Sequence, residues 1–336
     1  MAILWQDGFD LYNNQTDISM AYVSVAGAVA TTGGRFGAGA WQANNYGITR
    51  AISGITELWT GFAVNTSSTS NQDKAVLQFG STVGVEGLVT YNPATGAWKV
   101  WNGSENTLLG TATQMLAAGW HWVDAHFKLS ATVGVMEVWI DNVQLINVTG
   151  ANTIHNSGVT QVTTVQIGDN GGGGGLNAYI DDWIINDLSG SINNGRVGDS
   201  RIETLVPTSD AGTNNATPST GTSHYAVVDE PQFDVTDYLT MPNTSGDKEV
   251  FGHGALVSTP AIVHAVSIKM VSQKSDAGAY SLEPLVVSNT TEGDGSSQAL
   301  TTSWGIQSSV FEADPHTSAA WTYANVNSAS IGYKVP

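Results

Sequence analysis

The chain has 336 residues, with 11 Lys and Arg against 29 Asp and Glu, a formal net charge of −18 and only 12% charged residues. So few cations cannot displace phosphate counterions, which argues against a nucleic-acid partner. No apolar run approaches the ~18 residues of a membrane span, which argues against membrane insertion. Cysteine is absent, which removes disulfides, thiolate nucleophiles and Cys-ligated metal centres. A hydrophobic share of 41% with 11 Trp can fill a core and excludes a disordered chain. The start, Met1 to Asp7, has neither a basic region nor an apolar stretch, so no secretory signal is expected.

Period-two alternation marks strands at 57–64, 75–79, 87–91, 97–101 and, less cleanly, 120–128. Two more, at 134–141 and 143–147, flank Asp141-Asn142, a good two-residue hairpin turn. Strands at 162–168 and 178–185 close this set. Residues 111–118 are the best candidate for a helix. The glycines Gly171 to Gly175 lack the Lys-Ser/Thr pair and following helix of a phosphate loop and read as a surface loop. Nine of the 11 Trp precede residue 190, and a turn-rich stretch follows them. Further strands are expected at 233–235, 238–240, 249–251, 262–271, 281–287 and 304–311. The expected fold class is all-β, with two β-sandwich, jelly-roll-like domains in series: 1–190, a linker over 191–205, and a smaller sandwich over 206–336.

Three segments carry a resemblance: Asp7-Gly-Phe-Asp10, the hairpin from Glu137 to Leu145, and the strand Tyr179-Ile-Asp-Asp-Trp-Ile-Ile185. Residues 1–190 resemble the concanavalin A-like lectin/glucanase superfamily. That fold hosts lectins, hydrolases, adhesion modules and virion domains, so the resemblance implies the fold more than an activity. Catalytic β-glucanases of the superfamily carry Glu-x-Asp-x-x-Glu on one strand, and no such motif occurs here. The nearest approach is Glu137 with Asp141, and Asp141 falls in the turn. No His-Glu-x-x-His or Gly-x-Ser-x-Gly motif is present either. The expectation is therefore a non-enzymatic protein.

The resemblance implies neighbouring first and last strands, and some relatives bind a structural calcium there. Asp7 with Asp181 is the expected calcium pair, because alternation sends Asp181 and Asp182 to opposite faces. Exposed Trp rings stack on sugar faces, and Trp98, Trp101 and Trp120 are the candidates for glycan binding. Trp98 and Trp101 face opposite sides by parity, so at least one of them can point outward.

The second half has its own resemblance, carried by Gly198 to Pro207, Asp229-Glu-Pro231, Lys274-Ser-Asp-Ala-Gly278 and the ending Glu312-Ala-Asp-Pro-His-Thr to Gly332. It resembles a C-terminal module common in tailed-bacteriophage virion proteins. The implied role is a virion structural or adhesion protein (tail fibre, baseplate appendage or head decoration), made in the host cytoplasm. Its expected partners are other virion proteins, host-surface glycan and copies of itself in a homo-oligomer. The alternatives are a glycan-cleaving enzyme with an unrecognised carboxylate pair and a free carbohydrate-binding module.

Overall fold

The computed structural model describes residues 2–169 and 174–336. It is 47% strand and 4% helix, so the expected all-β class holds. The chain divides into two compact units, Ala2–Ile202 and Glu203–Pro336. Of the expected glycine loop, Gly171 to Gly173 lie outside the described residues. Gly174 and Gly175 run beside a strand, with the Ala75 N–H donating to the Gly174 carbonyl at 2.9 Å.

The first unit starts with β1 (Ile3–Asp7), β2 (Ser24–Val25), β3 (Ala28–Ala30), β4 (Ala40–Gln42) and β5 (Ile48–Ile55). Next come β6 (Glu57–Thr66), β7 (Lys74–Gly80), β8 (Val85–Asn92), β9 (Ala97–Asn102) and β10 (Thr107–Thr113). It ends with β11 (Trp120–Lys128), β12 (Gly134–Ile140), β13 (Val143–Ala151), β14 (Val162–Ile167) and β15 (Ala178–Asp187). An eight-stranded sheet runs β13-β12-β11-β6-β15-β4-β3, with β1 also on β15. A seven-stranded sheet runs β10-β9-β8-β7-β14-β5-β2. Their inner faces meet in a core where Phe79 stacks on Phe127 at 4.6 Å. A Cβ at Gly87 would come within 2.5 Å of the Phe127 ring, so only glycine admits that ring. Asp141 and Asn142 both take positive φ, 49° and 68°, and make the expected hairpin turn.

Residues 111–118, the best candidate for a helix, do not form one. The first three finish β10, paired to β9, where the Thr111 hydroxyl donates to the Trp98 carbonyl. So short a segment gains too few helical bonds to compete with a sheet edge. The described residues of this unit instead hold a five-residue helix, α1 (Gln15–Ser19), whose Asn14 side chain accepts the Thr16 and Asp17 N–H groups.

Residues of the expected linker are tied to the first sandwich. The Asn186 amide donates to the carbonyls of Asn193 and Gly195, Arg196 pairs with Asp124 at 2.7 Å, and the Ile202 N–H donates to Asp182.

The second unit has β16 (Pro207–Asn214), β17 (Thr217–Pro218), β18 (Leu239–Thr240), β19 (Lys248–His253) and β20 (Val266–Ser272). It continues with β21 (Ser281–Ser288), β22 (Thr291–Asp294), β23 (Gln298–Ala299), β24 (Gly305–Phe311), α2 (Tyr323–Ser328) and β25 (Ser330–Lys334). Its main sheet runs β16-β19-β25-β21-β22 with β23 on β21, and β20 with β24 forms a separate ribbon. Val286, Trp321, Val326 and Ala329 form a core against Leu256, Val263, Val266 and Phe311.

The ending that carries the virion-protein resemblance builds this core. Asp314 is wholly buried and accepts the His316 N–H and the Asn325 amide. Trp321 donates to the Phe311 carbonyl at 2.8 Å, and the Thr322 hydroxyl caps α2. The motif is thus a packing device, which explains its residue types without a ligand.

Candidate functional site

The outer face of the seven-stranded sheet carries a rung of residues in register across all seven strands. Ser24 on β2 lies opposite Thr49 on β5, Thr49 opposite Gln166 on β14, and Gln166 opposite Gln78 on β7. Gln78 then faces Leu88 on β8, Leu88 faces Trp101 on β9, and Trp101 faces Leu108 on β10. Six strand spacings make this row about 29 Å long. The Thr49 hydroxyl donates to Gln166 Oε1 at 2.8 Å, and Gln166 and Gln78 each donate Nε2 to the Gly168 carbonyl. These bonds hold the two amides in place.

Trp101 is half-buried and stands next to last in the row. Its indole N–H donates to Thr90 Oγ1 at 3.1 Å, and Lys99 stands 5.7 Å from its ring while pairing with Asp73. A ring held by its edge keeps a face for stacking. Trp98, its expected companion, cannot serve. It points into the core with no exposed surface, tilts on Tyr91 at 4.6 Å and donates to the Gln114 carbonyl. Trp120 is half-buried and lies on the other sheet, so it does not join Trp101.

The expected calcium pair does not converge. Asp7 is buried on the inner side, where Tyr12 and Tyr22 hydroxyls and the Phe9 N–H donate to it. Burial, then the Asp7 charge, hold both tyrosines well above the usual range. Asp181 instead accepts the backbone N–H groups of Arg35 and Asp182 at 2.7 and 2.8 Å.

The pairing of β15 with β6 slips between Asp181 and Ile184, and Asp182 takes φ 53°. This bulge breaks the alternation expected at this pair. Both carboxylates therefore reach Arg35, whose Nη1 lies 3.5 Å from Asp182 Oδ2 and whose Nη2 pairs with Asp199. Burial, then the Asp182 charge, push the Asp181 acid up to about 8. Burial pushes Asp182 up to about 6, opposed by the Ile202 N–H and Arg35, with Asp10 adding to the upward push.

Asp182 Oδ2 is the buried carboxylate oxygen left without a hydrogen bond among the described residues. A calcium ion needs six to eight oxygens. Among the described residues, no group of three or more His, Asp or Glu is gathered to hold a metal ion. The residues present do not fit calcium, and the cation beside Asp182 is the Arg35 guanidinium.

The Glu137 and Asp141 carboxylates do not act as a pair either. Glu137 lies 3.5 Å from His126 Nδ1, whose Nε2 meets Glu57 at 3.0 Å and whose ring stacks on Trp59. Asp141 bonds His121 and accepts the Trp122 N–H. Sequence reasoning missed the Gln78, Gln166 and Thr49 row, because polar residues on three distant strands carry no local signal. It missed Arg35 for the same reason.

No family model and no curated protein matches the chain. Among solved structures, Trypanosoma rangeli sialidase aligns over 44% of this chain and 25% of its own at 11% identity, TM-score 0.34. Domain 4 of AbnA, a GH43 extracellular arabinanase from Geobacillus stearothermophilus seen with arabinotriose, aligns over 55% and 93% at 14% identity, TM-score 0.39. The cellulose induced protein Cip1 aligns over 58% and 100% at 13% identity, TM-score 0.40. The chain thus spans a quarter of the sialidase's length. At these scores the likeness assigns neither activity nor substrate. It does correct the expectation of a non-enzymatic protein: glycosidases stand among the aligned structures, so a missing motif does not exclude glycoside hydrolysis.

Proposed function

We propose that this is a glycan-binding β-sandwich protein that takes an oligosaccharide across the strands of its seven-stranded sheet. The observation that carries the reading is the half-buried set Gln166, Gln78 and Trp101, with Thr49 and Leu88 buried in the same row. A sugar ring offers an apolar face and a rim of hydroxyls. Trp101 meets the first, and the fixed amides meet the second. The formal net charge of −18 favours a neutral glycan over an acidic one.

A glycan array probed with the protein and with Trp101→Ala tests this. Binding that drops about tenfold in the variant, the worth of one stacked ring, supports the reading. Equal binding by both removes it. Reducing-sugar release from bound polysaccharide, measured on the same proteins, separates a lectin from a hydrolase.

The setting we propose is the virion of a tailed phage, with other virion proteins as partners. The resemblance of the second unit's ending supports this. Antibody labelling of purified particles under the electron microscope tests it. Label on head or tail supports the setting, and protein found only free in the lysate overturns it.

A further inference from the structure

The eight-stranded sheet carries a shorter row of similar chemistry on its own outer face. Trp120 on β11 lies opposite Asn65 on β6, Asn65 opposite Tyr179 on β15, and Tyr179 opposite Gln42 on β4. The facing of these side chains follows from their neighbours. The Trp122 ring, two residues from Trp120, sits beside Gly61, with the Arg35 guanidinium 5.8 Å away. Asp181, two residues from Tyr179, accepts the Arg35 N–H. Residues two apart on a strand share a face, so Trp120 and Tyr179 both point to the Arg35 side. Ile180, between Tyr179 and Asp181, points inward beside Phe62 and Val64.

None of the four residues is buried, and Tyr179 is 36% exposed. The row alternates aromatic, amide, aromatic, amide and holds no charge. Trp120 and Tyr179 stand two strands apart, about 10 Å. That spacing leaves room for one sugar ring on each aromatic, with the Asn65 amide between them to donate to and accept from hydroxyls. A protein partner would be expected to ask for a broad apolar patch with a charged or polar rim. A short uncharged row of stacking faces and amides suits a neutral saccharide better.

We propose that Trp120, Asn65, Tyr179 and Gln42 form a second saccharide site, for a neutral oligosaccharide, on the face of the sandwich opposite Trp101. The ligand class rests on the function proposed above, whereas the site itself rests on the register and exposure of these four residues. Two sites on opposite faces cannot be filled by one short chain. They let one molecule join two polysaccharide strands, with the gain in avidity that bivalence brings.

Affinity electrophoresis through gels holding hydroxyethyl cellulose, arabinan or dextran separates the two sites. The proteins are wild type, Trp101→Ala, Trp120→Ala, Tyr179→Ser and the Trp101→Ala/Tyr179→Ser double variant. Tyr179→Ser alters the more exposed aromatic and guards against a folding defect in Trp120→Ala, and unchanged thermal unfolding confirms each fold. The expected result is that at least one polysaccharide retards the wild type. Each single variant then weakens retention about tenfold, and the double variant abolishes it. Wild-type retention by Trp120→Ala and Tyr179→Ser overturns the second site, while loss in Trp101→Ala keeps the first. Loss in Trp120→Ala and Tyr179→Ser with full retention by Trp101→Ala keeps the second site and removes the first. No retardation of the wild type by any of the three polysaccharides overturns both.

Discussion

Raising the pH from 5 to 9 should destabilise the first unit, and the Asp181–Asp182 bulge should be the reason. Both acids are raised by burial above the usual carboxylate value of 3.8, Asp181 to about 8 and Asp182 to about 6. The folded chain therefore keeps protons that the unfolded chain has released. Stability from such a group is full below the unfolded pKa and is lost as pH rises through the folded one. Each retained proton costs about 1.4 kcal/mol per pH unit. Asp182 alone, raised from 3.8 to about 6, is worth about 3 kcal/mol once the pH exceeds 7. His264, whose pKa is lowered by burial, belongs to the second unit and does not enter this balance. Above pH 7 Asp182 is ionised in both states, so the further fall reports Asp181. Urea unfolding followed by Trp fluorescence reads this unit, which holds nine of the 11 Trp. Asp182→Asn keeps the oxygen that accepts the Ile202 N–H and removes one charge. It should match wild type near pH 3, below the unfolded value of 3.8, and exceed it at pH 8 by about 3 kcal/mol or less. Wild-type stability that stays flat or rises from pH 7 to 9, or a variant weaker than wild type at pH 8, would refute the reasoning.

The two tryptophans of β9 should behave oppositely. Trp98→Ala opens a core cavity and should cost about 3–5 kcal/mol, whereas Trp101→Ala should leave the urea midpoint within the error of wild type. Because Arg35 occupies the acid cluster, adding calcium or EDTA should leave the melting temperature unchanged, and a rise of several degrees with calcium would show that the acids hold it. Asp314→Ala should weaken the second unit by about 1–3 kcal/mol, since the His316 N–H and the Asn325 amide lose their buried acceptor. Calorimetry should show that transition moving while the first unit's stays in place.

Much of the first sandwich was legible because alternation is a local signal with a tertiary cause. The runs at 97–101 and 134–140 announce strands, and Asp141-Asn142 announces the turn that both positive φ values occupy. Parity predicted that Trp98 and Trp101 diverge. It could not say which one enters the core, because that depends on which face of β9 meets the opposite sheet. Alternation failed at 181–182 for a physical reason. A bulge adds one residue, and an Asp tolerates the left-handed backbone well enough to leave no glycine as a marker. The calcium expectation failed with it, because Asp7 turned to Tyr12 and Tyr22 while both later acids turned to Arg35. The site row was illegible, because its polar residues become neighbours only after seven strands align. The ending of the second half was read as the mark of a module, and Asp314, Trp321 and Thr322 show the packing that such a mark records.

The pairing of β1 with β15, Ile3 opposite Asn186, also governs how the chain can be made. The two partners lie roughly 180 residues apart in the chain, a sequence separation that slows folding. Until β15 arrives, β6 also shows a bare edge in the middle of the larger sheet. The first sandwich therefore closes late rather than strand by strand, and its nascent form exposes unpaired backbone until β15 is made. Expression at lower temperature, or with a chaperone that shields strand edges, should raise the soluble yield more than any surface substitution.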